Sequence, residues 1–109
     1  MEEKQALFRL AEILERSIKG AREVKEAAPG IISLDLHGLY ADEAKALIDK
    51  TLSKAAKSTY ILRLIHGYHR GDSIRRMIFL EYGQGLDRRV IRVRGGSNPG
   101  TTDLILREL

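Results

Sequence analysis

Two histidines stand where a strand gives way to a loop, and each has a neighbour that could put it to chemical use. In Leu34-Asp35-Leu36-His37-Gly38 the alternation sends Leu34 and Leu36 to one side and Asp35 and His37 together to the other. A carboxylate two residues from an imidazole can orient or charge it, which is the pairing general acid/base catalysis requires. The second histidine opens Ile65-His66-Gly67-Tyr68-His69-Arg70-Gly71-Asp72-Ser73. Two glycines in a strand-to-helix turn allow backbone N–H groups to approach an anion, and the helix amino terminus adds partial positive charge. This loop lacks the spacing of a P-loop and of a dinucleotide fingerprint. A third segment, Gly95-Gly96-Ser97-Asn98-Pro99-Gly100-Thr101-Thr102, is rich in turn formers.

These segments converge only if the elements beneath them are arranged in one way. Residues 2–28 read as a helix, with Leu7, Leu10, Leu14 and Ile18 near helical spacing and Glu12/Arg16 and Glu15/Lys19 as i,i+4 pairs. Pro29-Gly30 ends it, giving an N-terminal helical extension over residues 1–29 and a core domain over 30–109. Beyond that point Ile32, Leu34 and Leu36 alternate as in a half-buried strand, 41–57 returns to helical spacing, and Tyr60 to Ile65 reads as an interior strand. Asp72 or Ser73 can cap a second helix ending at Tyr82-Gly83, followed by strands over 88–94 and 102–107.

The order βαβαββ predicts an α/β (α+β) two-layer sandwich, its first three strands parallel and its closing pair an antiparallel hairpin. The carboxyl ends of the parallel strands then share one edge, where open α/β sheets bind ligands, and His37, His66 and Asn98 gather there.

The chain has 109 residues, a length suited to one small domain, which buries roughly two-thirds of its unfolded surface. Function is expected on an edge or face rather than in an enclosed cavity. Without cysteine there is no disulfide, thiolate nucleophile or Cys-type metal centre. No apolar run approaches a membrane span and Met1–Gln5 is too polar for a signal peptide, so no membrane association and a cytoplasmic location are expected.

The formal net charge is +4, and all of the excess lies in residues 60–109, where every basic side chain is arginine. Arginine reads phosphate through its planar fork, and basic stripes are the electrostatic footprint of nucleic-acid binding. Arg88, Arg92 and Arg94 share one parity, a step of about 6.7 Å along a strand, which suits a phosphate backbone. Such a face is expected to stay uncovered by helices.

Taken together, LDLHG at 34–38, HGYHRGDSIRRMI at 66–78 and NPGTTDLIL at 98–106 resemble the Smr (small MutS-related) domain, over roughly residues 31–109. The family's LDxH motif matches Leu34, Asp35, Leu36 and His37; its HGxG motif keeps His66 and Gly67, with the later glycine displaced to Gly71. The resemblance implies a βαβαββ sandwich similar to the carboxyl-terminal domain of translation initiation factor 3, with a four-stranded mixed sheet in order 1-2-4-3 and the last strand antiparallel. It also implies nucleic-acid binding, with DNA-nicking or RNA-cleaving endonuclease activity in a number of members.

On this reading Asp35, His37 and His66 are the candidate catalytic residues, with Gly67, Arg70, Gly71, Arg88, Arg92, Arg94, Asn98, Gly100 and Thr101 as candidate phosphate or nucleic-acid contacts. Metal need stays open, with Mg or Mn as the candidate ions. Two-metal chemistry wants several carboxylates, whereas a metal-free route needs an internal nucleophile such as the RNA 2′-hydroxyl. The alternative is a non-catalytic module that binds structured RNA, a ribosome or branched DNA through the arginine face. Pairing of two copies through the N-terminal helix is a further option.

Overall fold

Alternating Ile32-Ser33-Leu34-Asp35-Leu36 can bury only one face of a strand, and that asymmetry decides which side of the sheet the helices cover. The computed structural model describes residues 24–68 and 71–108. Its elements are β1 (Val24–Ala28), β2 (Ile31–Asp35), α1 (Ala41–Lys54), β3 (Ile61–Ile65), α2 (Gly71–Tyr82), β4 (Arg92–Gly95) and β5 (Thr101–Ile105). One mixed sheet holds all five strands in the order β1-β2-β3-β5-β4. β2 and β3 are parallel, whereas β5 runs antiparallel to both β3 and β4, so β2, β3 and β4 share a direction.

The register sorts the side chains. Ile32, Leu62, Leu104 and Val93 lie opposite one another across the strands and face inward, as do Leu34 and Leu64. They pack with Leu47 and Ile48 of α1 and with Ile74, Ile78 and Tyr82 of α2 in a single core. The intervening rows, including Ser33, Arg63, Asp103 and Arg94, occupy the other face.

Three expectations require correction. The sheet has five strands rather than four, because Val24–Ala28, read as the end of a helix, pairs antiparallel with β2 as an edge strand. Lys25, Glu26 and the alanines are good helix formers, but propensity is worth only tenths of a kcal/mol per residue, and the open hydrogen-bonding edge of β2 outweighs it. The boundary placed at residue 29 therefore falls in a hairpin turn, where Gly30 adopts φ +80°. Residues 2–23, on which both the expected helix and any pairing of copies through it depend, lie outside the described residues.

Next, the strand expected over 88–94 begins only at Arg92. Asp87 captures the preceding residues in a turn, accepting the Arg89 backbone N–H at 2.9 Å and its guanidinium at 2.7 Å. Last, α2 starts at Gly71, so Asp72 and Ser73 lie inside its first turn instead of capping it.

A polar cluster ties the helical layer to this turn. Asp49 of α1 accepts hydrogen bonds from the Tyr82 hydroxyl at 2.6 Å, from Lys45 Nζ at 2.7 Å and from Arg89 Nη2 at 3.1 Å. Burial alone would push the Asp49 carboxyl up, but the bonds from Lys45 and Tyr82, with the charges of Lys45 and Arg89, hold it below its ordinary value. Burial and the Asp49 charge push the Tyr82 phenol well above its usual range.

A group whose carboxyl is depressed on folding stabilises the fold above its unfolded value, and that contribution is lost as pH falls through the folded value. Tyr82→Phe, which keeps the ring and deletes the hydroxyl, is expected to cost about 1 kcal/mol at pH 7. Urea midpoints measured from pH 7 down to pH 2 should show the wild-type advantage shrinking below about pH 4 as Asp49 protonates. An advantage that stays constant down to pH 2 would contradict the pairing.

Candidate active site at the carboxyl rim

Because β2, β3 and β4 run in one direction, the segments leaving Asp35, Ile65 and Gly95 emerge at one rim, and β5 enters there at Thr101. The rim is laced by backbone hydrogen bonds. Leu36 N–H donates to the Ile65 carbonyl at 2.7 Å, carrying the β2–β3 pairing one residue past the strand end. The N–H groups of His66 and Gly67 both donate to the Gly100 carbonyl at 3.0 Å, which joins the second loop to the third.

Leu36 is fully buried, so Asp35 and His37 project to the other side. Asp35 Oδ1 accepts the His37 backbone N–H at 3.0 Å and meets ring Nδ1 at 2.5 Å. In the neutral ring this places the proton on Nδ1 and makes Nε2 the basic nitrogen. The His37 side chain is 64% exposed, so this nitrogen belongs to an accessible ring. A Cβ built on Gly67 would lie 3.7 Å from His37 Cβ, which sets the first two loops in contact.

His66 is differently placed. It is only 2% exposed, with Nδ1 donating to the Gly67 carbonyl at 3.0 Å and Nε2 facing Thr102 Oγ1 at 2.8 Å. Both ring nitrogens thus hold the loop together, whereas the expected shared proton transfer with His37 needs one of them turned to a substrate. Its part in this arrangement is to position the turn.

Gly67 also departs from expectation as a phosphate contact, since its N–H is taken by Gly100. Gly71 opens α2, and Arg70 lies outside the described residues. Asn98 builds the third turn: its Oδ1 accepts the Gly100 N–H at 2.9 Å and its carbonyl accepts the Thr101 N–H at 3.1 Å and hydroxyl at 3.2 Å.

The three strand arginines separate. Arg88 sits in the turn before β4 and lines a small cleft with Ala55, Thr59 and Arg107, at the rim opposite His37. Arg92 and Arg94 remain on the helix-free face, but each meets an acid. Arg92 Nη1 lies 2.6 Å from Glu108 Oε1, and Arg94 Nη2 lies 3.7 Å from Asp103 Oδ2. Asp103 is buried and also accepts from Arg63 Nε at 3.1 Å. The face therefore alternates in charge instead of forming an unbroken cationic strip.

Two further residues enter the site. A cleft of about 560 Å³ opens beside the dyad, between the third turn and the start of α2, with Tyr68 and Arg75 among its walls. The sequence hints at both, through an aromatic between turn glycines and an arginine near the start of the helix that follows a Gly-rich loop, but only the fold brings them together. Among the described residues no three His, Asp or Glu side chains gather closely enough to hold a metal ion. Comparison with protein-family models, with curated proteins and with solved structures finds no match.

The contrast between the histidines has a measurable consequence. His66→Ala removes a buried side chain and leaves Thr102 and the turn without their partner, and should cost about 2–4 kcal/mol. His37→Ala, at an exposed position, should change stability by less than about 0.5 kcal/mol. Urea denaturation of both variants checks this; equal losses would contradict the assignment of His66 to the scaffold.

Proposed function

We propose that the chain is an Smr-type nucleic-acid-binding domain, comparable in its β2–β5 unit to the carboxyl-terminal domain of translation initiation factor 3, and that it cleaves a phosphodiester backbone at Asp35 and His37. The observation that carries this reading is the exposed imidazole whose Nδ1 is held by a carboxylate two residues away, at the rim where three loops meet. Such a dyad can take a proton at Nε2 while Asp35 stabilises the imidazolium that forms.

RNA is the substrate this chemistry suits. His37 Nε2 would remove the 2′-hydroxyl proton, O2′ would attack phosphorus and the P–O5′ bond would break. The products are a 2′,3′-cyclic phosphate and a 5′-hydroxyl, with water supplying the proton to O5′ and the hydroxide so formed taking the proton back from His37. Mg or Mn would find Asp35 already engaged by His37 and no chelating set among the described residues.

The buried, doubly bonded His66 favours a second reading, in which the rim and the arginines of the helix-free face bind structured RNA, a ribosome or branched DNA without cutting it.

Incubation with single-stranded, duplex and branched RNA and DNA, with and without chelator, separates the two. Cleavage of RNA by wild type should fall about 10²- to 10⁴-fold in Asp35→Ala and His37→Ala. Binding without cleavage by wild type would favour the second reading, and undiminished cutting by both variants would place the chemistry elsewhere.

A further inference from the structure

The cleft beside the dyad is walled by a group that phosphate chemistry does not need. Tyr68 follows directly on Gly67, and the residue is 66% exposed. An aromatic ring held at the surface of a soluble domain offers a flat apolar face that gains by being covered. The ring is seated as well as exposed. A Cβ built on Gly100 would lie 3.2 Å from Tyr68 Cε2 and 3.4 Å from Cδ2, so this edge rests against the backbone of the third turn. Support of this kind lowers the entropy lost when a second ring stacks on it.

The rest of the cleft supplies the polar groups of a nucleotide site. Asn98 Oδ1 is committed to the Gly100 N–H, which fixes the amide and leaves its nitrogen as the donor to a base edge. Arg75 also lines the cleft and lies over the Phe79 ring at 5.6 Å. Its contact with Asp72 is long, at 4.0 Å, while Asp72 pairs more closely with Arg76 at 3.2 Å. The Arg75 guanidinium is thus positioned and only weakly neutralised. The cleft's volume of about 560 Å³ lies in the range of small-ligand sites, adequate for one nucleotide. Only Gly67 separates Tyr68 from the contact with His37.

We propose that this cleft takes a single unpaired nucleotide, its base stacked on Tyr68 and its phosphate met by Arg75, so that the domain selects single-stranded over duplex RNA. The inference rests on the nucleic-acid reading above and adds the form of the strand. A base within a duplex is already covered on both faces and reaches Tyr68 only by unstacking, whereas a single strand offers its bases without that cost.

The test is fluorescence anisotropy at fixed salt with the full chain, using a labelled single-stranded RNA octamer and a hairpin whose stem has the same length and is closed by a non-nucleotide linker. His37→Ala serves as the background, so that the RNA is not consumed. The single strand should bind at least tenfold more tightly than the hairpin. Adding Tyr68→Leu should weaken it about 5- to 100-fold with little change for the hairpin, and Tyr68→Phe, which keeps the ring, should retain most of the affinity. Circular dichroism should be unaltered in both, as expected of an exposed side chain. Unchanged single-strand affinity in Tyr68→Leu, or equal losses in the Leu and Phe variants, would overturn the stacking proposal while leaving the nucleic-acid reading intact. Failure of the background protein to bind either RNA would instead remove that reading, and this inference with it.

Discussion

The parallel pairing of β2 with β3 is the constraint on which the rim depends. Parallel strands cannot be joined by a tight turn, so the chain must cross over through α1, and this crossover brings both strand ends to the same edge. The Leu36 N–H bond to the Ile65 carbonyl extends the pairing beyond the strands, and the double use of the Gly100 carbonyl attaches the third loop. Asp35 and His37 are consequently held by backbone geometry rather than by a pocket of side chains.

The two faces of the sheet solve different problems. On the helical side Leu34, Leu62, Leu64 and Leu104 meet the helices in a continuous apolar core. The Asp49 cluster at its edge fastens α1, α2 and the turn before β4 to one another. On the other side Asp103 is buried between Arg63 and Arg94, so that its carboxylate is compensated where it stands. A cross-strand acid beneath two guanidiniums keeps arginines at fixed spacing without their repelling each other. It also lowers the positive charge this face presents.

Much of the arrangement was legible in residue order. Period-two alternation in Ile32–Leu36 and the apolar run at Ile61–Ile65 mark strands because one face, or both, must be buried. Asp35 and His37 share a side for the same reason, and their contact follows from a separation of two residues. Val24–Ala28 was not legible, since its residues carry no strand signal and its pairing is supplied by the neighbouring edge of β2. Arg88 was misplaced because parity counts assume an unbroken strand, and the Asp87 side chain breaks it.

Local sequence therefore determined the helices α1 and α2, the strands β2, β3 and β5, and that one carboxylate and one imidazole would meet. These depend on periodicity and on contacts a few residues apart. Only the tertiary structure decided that His66 is spent on Thr102, thirty-six residues away, that Asp103 rather than open water faces Arg94, and that Tyr68 rests on Gly100 beside a cleft. Those outcomes depend on which strand lies beside which, and a hydrogen bond used across the sheet cannot be counted until its partner's position in space is known.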